Sequence, residues 1–480
     1  MPFMPVFLWS DVLLWSLLAG TLGLGWLSLR NALLRAAWRR VGRSRTAMAS
    51  ATLLVAFVVV GMLDSLHYRP RLEAQAEPSP TAAQSVSYGV EVLSALDAAL
   101  RPLRTRHEKT YSEPLATRLY ARESIEVDEG GGRIRQVRDF PRLRYGGEHL
   151  GGDESRRDGD IALRLLRALL IAALVWAAIA AVSVVALARR NDCSPGDAWS
   201  RIWRGDGGFA WDAVLVMLGV LLLLSTAVAM LASGYHVLGT DKVGQDVLYQ
   251  VLKSVRTALV IGLLTTLLML PLSIALGVLA GYFRGWVDDL IQYLYTTLSS
   301  IPAVLLIAAA VLMMQVLIDT HPQWFATAAE RADLRLLALC FILGVTSWTS
   351  LCRLIRGETL KLRELEYIQA AQAFGVPDWR IIGRHILPNL MHIVIIALVM
   401  DFSSLVLAEA LLSYVGIGVD PKMVSFGTMI NNARLELARE PVVWWSLSAA
   451  FVFMFALVLA ANLLADAVRD AFDPRLAEAA

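Results

Sequence analysis

The stretch EYIQAAQAFGVPDWRIIGRHILPNL, Glu366 to Leu390, is polar and alanine-rich, yet it stands between two long apolar runs. Its spacing predicts a short helix over 364–374 carrying the small residues Ala370, Ala371 and Ala373; alanine favours helix and leaves room for close approach by another surface. Gly375 is placed to end that helix, because glycine takes the left-handed conformation at little cost. Asp378 can then cap a second helix starting near Trp379, and Pro388 marks the entry to the next apolar run. Spacing alone leaves two readings open: an ordinary polar connection, or an L-shaped knob suited to docking in a groove. The flanking runs decide between them.

Those runs belong to a chain of 480 residues that is 56% hydrophobic and only 18% charged. Soluble domains carry about 45–50% apolar and about 25% charged residues, so the composition points to a membrane protein. A bilayer-crossing helix needs roughly 20 predominantly apolar residues, and reading for such runs gives about nine. They lie near 7–28, 47–65, 164–188, 211–233, 257–281, 297–318, 334–353, 389–414 and 443–464. The net charge of +2 gives no reason to expect a nucleic-acid partner.

The first run has no basic segment ahead of it and no clear small-residue cleavage site behind it, so it reads as a span and not a signal peptide. Its positive charge follows instead, at Arg30, Arg35, Arg39, Arg40, Arg43 and Arg45. The positive-inside rule then sets the N-terminus outside and residues 29–46 in the cytoplasm. On that choice the inside segments 29–46, 189–210, 283–298, 353–389 and the tail from 465 hold 19 Lys and Arg. The outside segments 1–6, 234–256, 319–335 and 416–442 hold 8. The stretch 66–163 stays out of the count, because long domains cross regardless of charge. Glu366–Leu390 is therefore expected in the cytoplasm.

A cytoplasmic segment of this form resembles the EAA loop of ABC importer permeases. That pattern is Glu-Ala-Ala, three residues, Gly, nine residues, Ile, any residue, Leu-Pro. Gln369, Ala370, Ala371, Gly375, Leu387 and Pro388 fall at the required spacings. Gln369 replaces the glutamate, and His385 takes the isoleucine position with Ile386 beside it. The RHILPN ending is similar to the oligopeptide, dipeptide and nickel branch. RAAWRRVGRSRTAMASATLLVAFVVVG resembles the basic lead-in and first span of the C-type subunit. HVLGTDKVGQDVLYQVLKSVRTALVIG resembles the Leu-Gly-Thr-Asp segment, with Gly239, Thr240, Asp241, Gly244 and Asp246. AGYFRGWVDDLIQYLYTTLSSIP, AEALLSYVGIGVDP and NLLADAVRDAFDPRL resemble the later segments, in the same order. The matches cover 33–66 and 236–477.

The resemblance implies an all-α polytopic membrane protein with the transmembrane domain of a type I ABC importer. It implies that loop 364–388 is the coupling helix, seated in a cleft of the ATPase through Gln369, Ala370, Ala371, Phe374, Gly375, Asp378, Leu387 and Pro388. The Leu-Gly-Thr-Asp residues would be extracytoplasmic. The implied partners are a second permease chain, two cytoplasmic ATPase subunits and an extracytoplasmic substrate-binding protein, in the inner membrane. Transport would run by alternating access. Relatives handle oligopeptides, dipeptides, nickel chelates and toxic peptides, and the sequence does not choose among these.

Against the six spans usual for that subunit, the chain divides into an extra span with basic lead-in (1–46), a first family-type span (47–66), an extracytoplasmic insertion (67–163), an inserted span pair (164–235) and the permease core (236–480). An inserted pair keeps every later loop on its original side. Within the insertion, EAQAEPSPTAAQS reads as linker, and SIEVDEGGGRIRQV alternates around Gly130–Gly132 as a hairpin does. The insertion is either a contact surface for the binding protein or a spacer.

Ionisable residues at membrane depth are costly and face a bundle interior or water. Asp401 and Glu409 in 389–414 are therefore candidates for the translocation path, or each makes one hydrogen bond between helices; Asp11 belongs at the interface. The chain has no Gly-x-x-x-x-Gly-Lys-Ser/Thr, so ATP would be hydrolysed by partners. Neither a catalytic constellation nor a cofactor or metal site is expected. Cys193, Cys340 and Cys352 lack ligand spacing, and Cys340 and Cys352 read as buried thiols. His236, His385 and His392 are scattered and read as structural. A membrane-anchored sensor or assembly protein acting through 66–163 is the competing class, and ATPase and binding-protein genes beside this one would discriminate. A secondary transporter is disfavoured because no inverted repeat with broken helices is seen.

Overall fold

The computed structural model describes residues 3–28, 30, 32–71, 88–128, 134–205, 208–325, 327–420 and 422–472. In chain order, the elements begin with strand β1 (Phe3–Val6) and helices α1 (Trp9–Ser28), α2 (Ala32–Arg43) and α3 (Arg45–Asp64). Next come β2 (His67–Pro70), β3 (Leu93–Ser94), α4 (Ala95–Ala99), α5 (Arg101–Thr105), β4 (Glu123–Asp128) and β5 (Ile134–Asp139). Helices α6 (Arg157–Arg190), α7 (Pro195–Arg204), α8 (Trp211–Ala232), α9 (Val247–Phe283), α10 (Gly285–Ser300) and α11 (Ala303–Thr320) follow. The chain continues with α12 (Ala328–Arg363), α13 (Glu366–Ala373), α14 (Asp378–Ile381), a π-helical turn (Ile382–Ile386), α15 (Leu387–Val415), α16 (Phe426–Glu436) and α17 (Trp445–Phe472).

Among the described residues, eight helices are long and apolar enough to cross a membrane: α3, α6, α8, α9, α11, α12, α15 and α17. They match eight of the expected apolar runs. The run 7–28 forms the 20-residue α1, which is not among the eight. Several helices outrun their apolar stretch; α12, expected over 334–353, extends over Ala328–Arg363. An apolar run marks only the part of a helix that lies in hydrocarbon, and its polar ends continue beyond.

The chain separates into two compact units. The first holds residues 1–6, 42–257 and 424–460. Here β1 pairs antiparallel with β2, Phe3 opposite Pro70 and Val6 opposite His67, and β2 pairs with β3. This three-stranded sheet was not readable from the sequence, because β1 and β2 are four residues each and 60 positions apart. The expected hairpin is present as β4 and β5, with Glu123 opposite Asp139 and Asp128 opposite Ile134. Its Gly130–Gly132, and the linker-like EAQAEPSPTAAQS, lie outside the described residues. The inserted helices α6 and α8 pack together, Trp176 Nε1 donating to the Leu215 carbonyl at 2.8 Å. Helix α8 also lies along α3, tied by an Arg45–Asp212 ion pair at 2.7 Å, and the Ala210 N–H just before α8 donates to the Gly42 carbonyl of α2.

The second unit holds 7–41, 258–423 and 461–480. Small residues set its packing, as is usual between helices in lipid. A Cβ on Gly277 would come within 2.8 Å of the Cys352 carbonyl, and one on Gly281 within 2.6 Å of Thr359, so α9 lies directly against α12. Ser273 Oγ donates to the Trp348 carbonyl at 3.1 Å across the same contact. Cys340 and Cys352 are free and buried. Asp11, expected at an interface, is buried in the first turn of α1.

Candidate functional site

The knob is built by two short helices at a left-handed glycine. Gly375 has φ +71°, its N–H donates to the Gln372 carbonyl, and the Val376 N–H reaches back to the Ala371 carbonyl at 3.1 Å. That pair of bonds is the Schellman closure of a helix ending at Phe374. Ile368, Ile381, Ile386 and Leu390 are fully buried against α9 and α12 residues including Val278 and Ile355. The knob is thus bolted to its own unit by isoleucines.

Polar ties add to the bolt. Tyr282 at the end of α9 donates to Asp378 Oδ1 at 2.6 Å and accepts from Gln372 Nε2 at 3.2 Å. Asp378 was expected to cap α14, but it is the helix's first residue; Pro377 occupies the N-cap and no side chain caps that end. The nearby phenol takes the carboxylate instead. Ala371 was expected on the docking face and is half-buried against the chain's own core.

What faces outward is Gln369, Ala370, Phe374, Gly375 and Trp379. Phe374 is 87% exposed and Trp379 69%. Large apolar side chains held out by a rigid turn are what a partner's groove can bury. Trp379 was not among the residues expected at the docking face, although an aromatic in a polar loop was a usable signal. Gln369 Nε2 donates to the Glu364 carbonyl at 3.2 Å and lies 3.4 Å from Glu364 Oε2, while Glu364 also pairs with Arg284. A glutamate at 369 would face Glu364 as a like charge, which gives the neutral amide a local physical reason. Leu387 and Pro388 open α15 just after the π-helical turn. Proline has no N–H to donate into that turn.

In the first unit, the Leu-Gly-Thr-Asp residues are wrapped by the insertion. Gly239 and Gly244 both sit at φ +73°. A Cβ on Gly239 would fall 2.5 Å from the Ser112 carbonyl, and one on Gly244 1.9 Å from that of Glu108. Thr240 is buried; its hydroxyl donates to the Thr110 carbonyl at 2.9 Å and accepts from the Ser112 N–H, and its own carbonyl accepts from Trp445 Nε1. Asp241 closes the turn by accepting from the Val243 and Gln245 N–H groups. Asp246 caps α9, accepting from the Leu248 N–H at 2.8 Å.

His236 joins insertion and motif. Its Nδ1 lies 2.8 Å from Asp246 and its Nε2 3.3 Å from Glu108. Glu108 also accepts from the backbone N–H groups of Arg144, Tyr145 and Gly146. Burial alone would lower the imidazole pKa, but its hydrogen bonds to the Asp246 and Glu108 carboxylates, and their charges, push it up to about 9. Burial likewise opposes ionisation of Glu108, and His236 with the three amides holds its carboxyl below the usual range. His236 is held as a structural residue; Asp246 lies 10 positions away, but Glu108, at 128 positions, was beyond sequence reach.

Glu409 is buried in α15 and accepts from Ser413 one turn on at 2.6 Å. Asp401 is half-buried, two turns before it on the same helix.

Eight helices long and apolar enough to cross a membrane, among the described residues, mark a polytopic membrane protein. The family model for binding-protein-dependent transport system inner membrane components matches residues 273–478. The glutathione transport system permease protein GsiD of Pectobacterium atrosepticum is 32% identical over 307 residues, covering 60% of this chain and 94% of that protein. The oligopeptide transport system permease protein OppC of Mycobacterium tuberculosis is 33% identical over 239 residues, covering 50% and 76%. The dipeptide transport system permease protein DppC of Bacillus subtilis is 26% identical over 293 residues, covering 58% and 85%. The chain belongs to the family of binding-protein-dependent inner-membrane transport components. It is a multi-pass permease subunit of an ABC importer, working with ATPase and substrate-binding partners.

Proposed function

We propose that this subunit imports peptides, pairing with a second permease chain and two ATPase subunits. The names of its relatives, which transport glutathione, oligopeptides and dipeptides, support the substrate class. The observation that carries the coupling reading is Phe374 and Trp379 held out from a knob whose Ile368, Ile381 and Ile386 are fully buried. ATP closes the ATPase pair, the knob moves with the groove that holds it, and its buried bolt passes the motion to α9, α12 and α15. Asp401 and Glu409 give α15 a polar lining for the path. Residues 66–163 and the N-terminus face outside, where the insertion meets the binding protein; 353–389 and the C-terminus face the cytoplasm. Reconstitution with its partners in proteoliposomes tests the reading. ATP- and binding-protein-dependent uptake of a labelled peptide library supports it, and uptake of nickel chelate but no peptide overturns the substrate class.

A further inference from the structure

Besides the basic segment 29–46, positive charge also gathers within the insertion. Residues 101–144 hold 11 Lys and Arg against 7 Asp and Glu, an excess of four, whereas the whole chain has 44 against 42. These residues lie in the stretch expected outside, where the positive-inside rule gives them no topogenic role.

Three of these cations, Lys109, Arg142 and Arg144, line a cleft of about 670 Å³ in the first unit, together with His107, Glu123 and Ser124 among others. One carboxylate in the wall, Glu108, is already saturated by three backbone N–H groups and His236. The other, Glu123, is paired with Lys109 at 2.5 Å. Arg142 and Arg144 remain exposed on the facing wall. The Arg142 guanidinium spends one contact on the Gly152 carbonyl at 2.9 Å, and the Arg144 guanidinium lies over the neighbouring Tyr145 ring, 5.2 Å away. Neither makes an ion pair among the described residues. Guanidinium groups match carboxylates with two parallel N–H bonds, so the cleft offers two forks and lacks their acids.

The cleft has a firm floor. Glu108 is held by the buried His236, and the Leu143 N–H donates to the Thr117 carbonyl at 2.9 Å. Preformed positive sites of this kind steer an oppositely charged protein and fix its orientation.

We propose that this cleft receives an acidic face of the substrate-binding protein, with Arg142 and Arg144 taking Asp or Glu side chains. The proposal rests on the reading that the insertion meets the binding protein, and it adds the site and its chemistry. The complementarity is electrostatic, so the contact weakens steeply with ionic strength.

The test uses the assembled transporter in nanodiscs and its binding protein. Arg142→Glu with Arg144→Glu should weaken binding-protein affinity at least tenfold at low salt, and the unchanged transporter should lose affinity as salt rises. A photo-crosslinking residue at Ser124, in the cleft, should capture the binding protein. The same residue at Val90, 85% exposed elsewhere in the insertion, serves as reference. Unchanged affinity on charge reversal, with capture from Val90 alone, overturns the cleft and leaves the insertion reading standing. Capture from neither position in a transporter that couples overturns both. Saturable binding of free peptide to the cleft without binding protein also overturns the proposal, since the forks would then serve a small ligand.

Discussion

His236 Nδ1 lies 2.8 Å from the Asp246 carboxylate, and both side chains are buried. Asp246 caps the helix that begins the permease core, and the same imidazole reaches Glu108 of the insertion. The insertion is therefore packed against the Leu-Gly-Thr-Asp segment and latched there by charge.

The latch has a pH window. A histidine raised from 6.5 to about 9 contributes stability fully present below 6.5 and lost as pH rises through about 9. Glu108, depressed from 4.5, contributes stability present above that value and lost as pH falls through its lower folded pKa. Thermal unfolding of the purified protein should be level between about pH 4.5 and 6.5 and fall steadily as pH rises from 6.5 to about 9. His236→Ala should cost about 3–5 kcal/mol, as removal of one partner from a buried pair does, and erase the alkaline fall. A wild-type melting temperature that stays level from pH 6.5 to 10 contradicts the latch.

The two kinds of left-handed glycine should respond differently. At Gly244 a Cβ meets backbone at 1.9 Å, whereas at Gly375 nothing lies within 4 Å. Gly375→Ala should pay only for its conformation, roughly 1–2 kcal/mol. Gly244→Ala must also move the Glu108 backbone and should show the larger drop in melting temperature and yield. Equal losses would mean that the insertion does not press on the motif.

Much of the knob was legible because its signals are local: alanines at helical spacing, a glycine stop, a proline entry. The ties that hold it were not, since Tyr282 and Asp378 meet across 96 positions. Local rules gave Asp378 a capping role that tertiary contact overrode. Ala371 and Ala370 are adjacent in sequence, and only the packing of Ile368 and Ile381 tells which one turns inward. The span pattern was readable for the same reason as the knob, because hydrocarbon thickness imposes a length on each run.

Gln369→Glu should loosen the knob by a few tenths of a kcal/mol, on the order of a like-charge pair on a helix, and Glu364→Gln should restore it. A double-mutant cycle on ATPase affinity reads the coupling. Additive effects would show that the two residues act independently.

Asp401→Leu and Glu409→Leu should each leave the transporter assembled and lower peptide uptake, because carboxylates at membrane depth are costly to keep without use. Uptake at equal expression is the readout. Parental rates in both variants would make the two residues purely structural.

The central claim is that Glu366–Leu390 couples this permease to its ATPase through an exposed aromatic pair on a buried isoleucine bolt. Phe374→Ala with Trp379→Ala removes only side chains that are 87% and 69% exposed, so insertion and folding should survive. Co-purification of the ATPase with this double variant, read with ligand-stimulated ATP hydrolysis, is the most direct measurement. We predict at least a tenfold loss of ATPase retention and no stimulation in a normally inserted permease. Full retention with normal stimulation would contradict the account and leave the stretch a connecting loop.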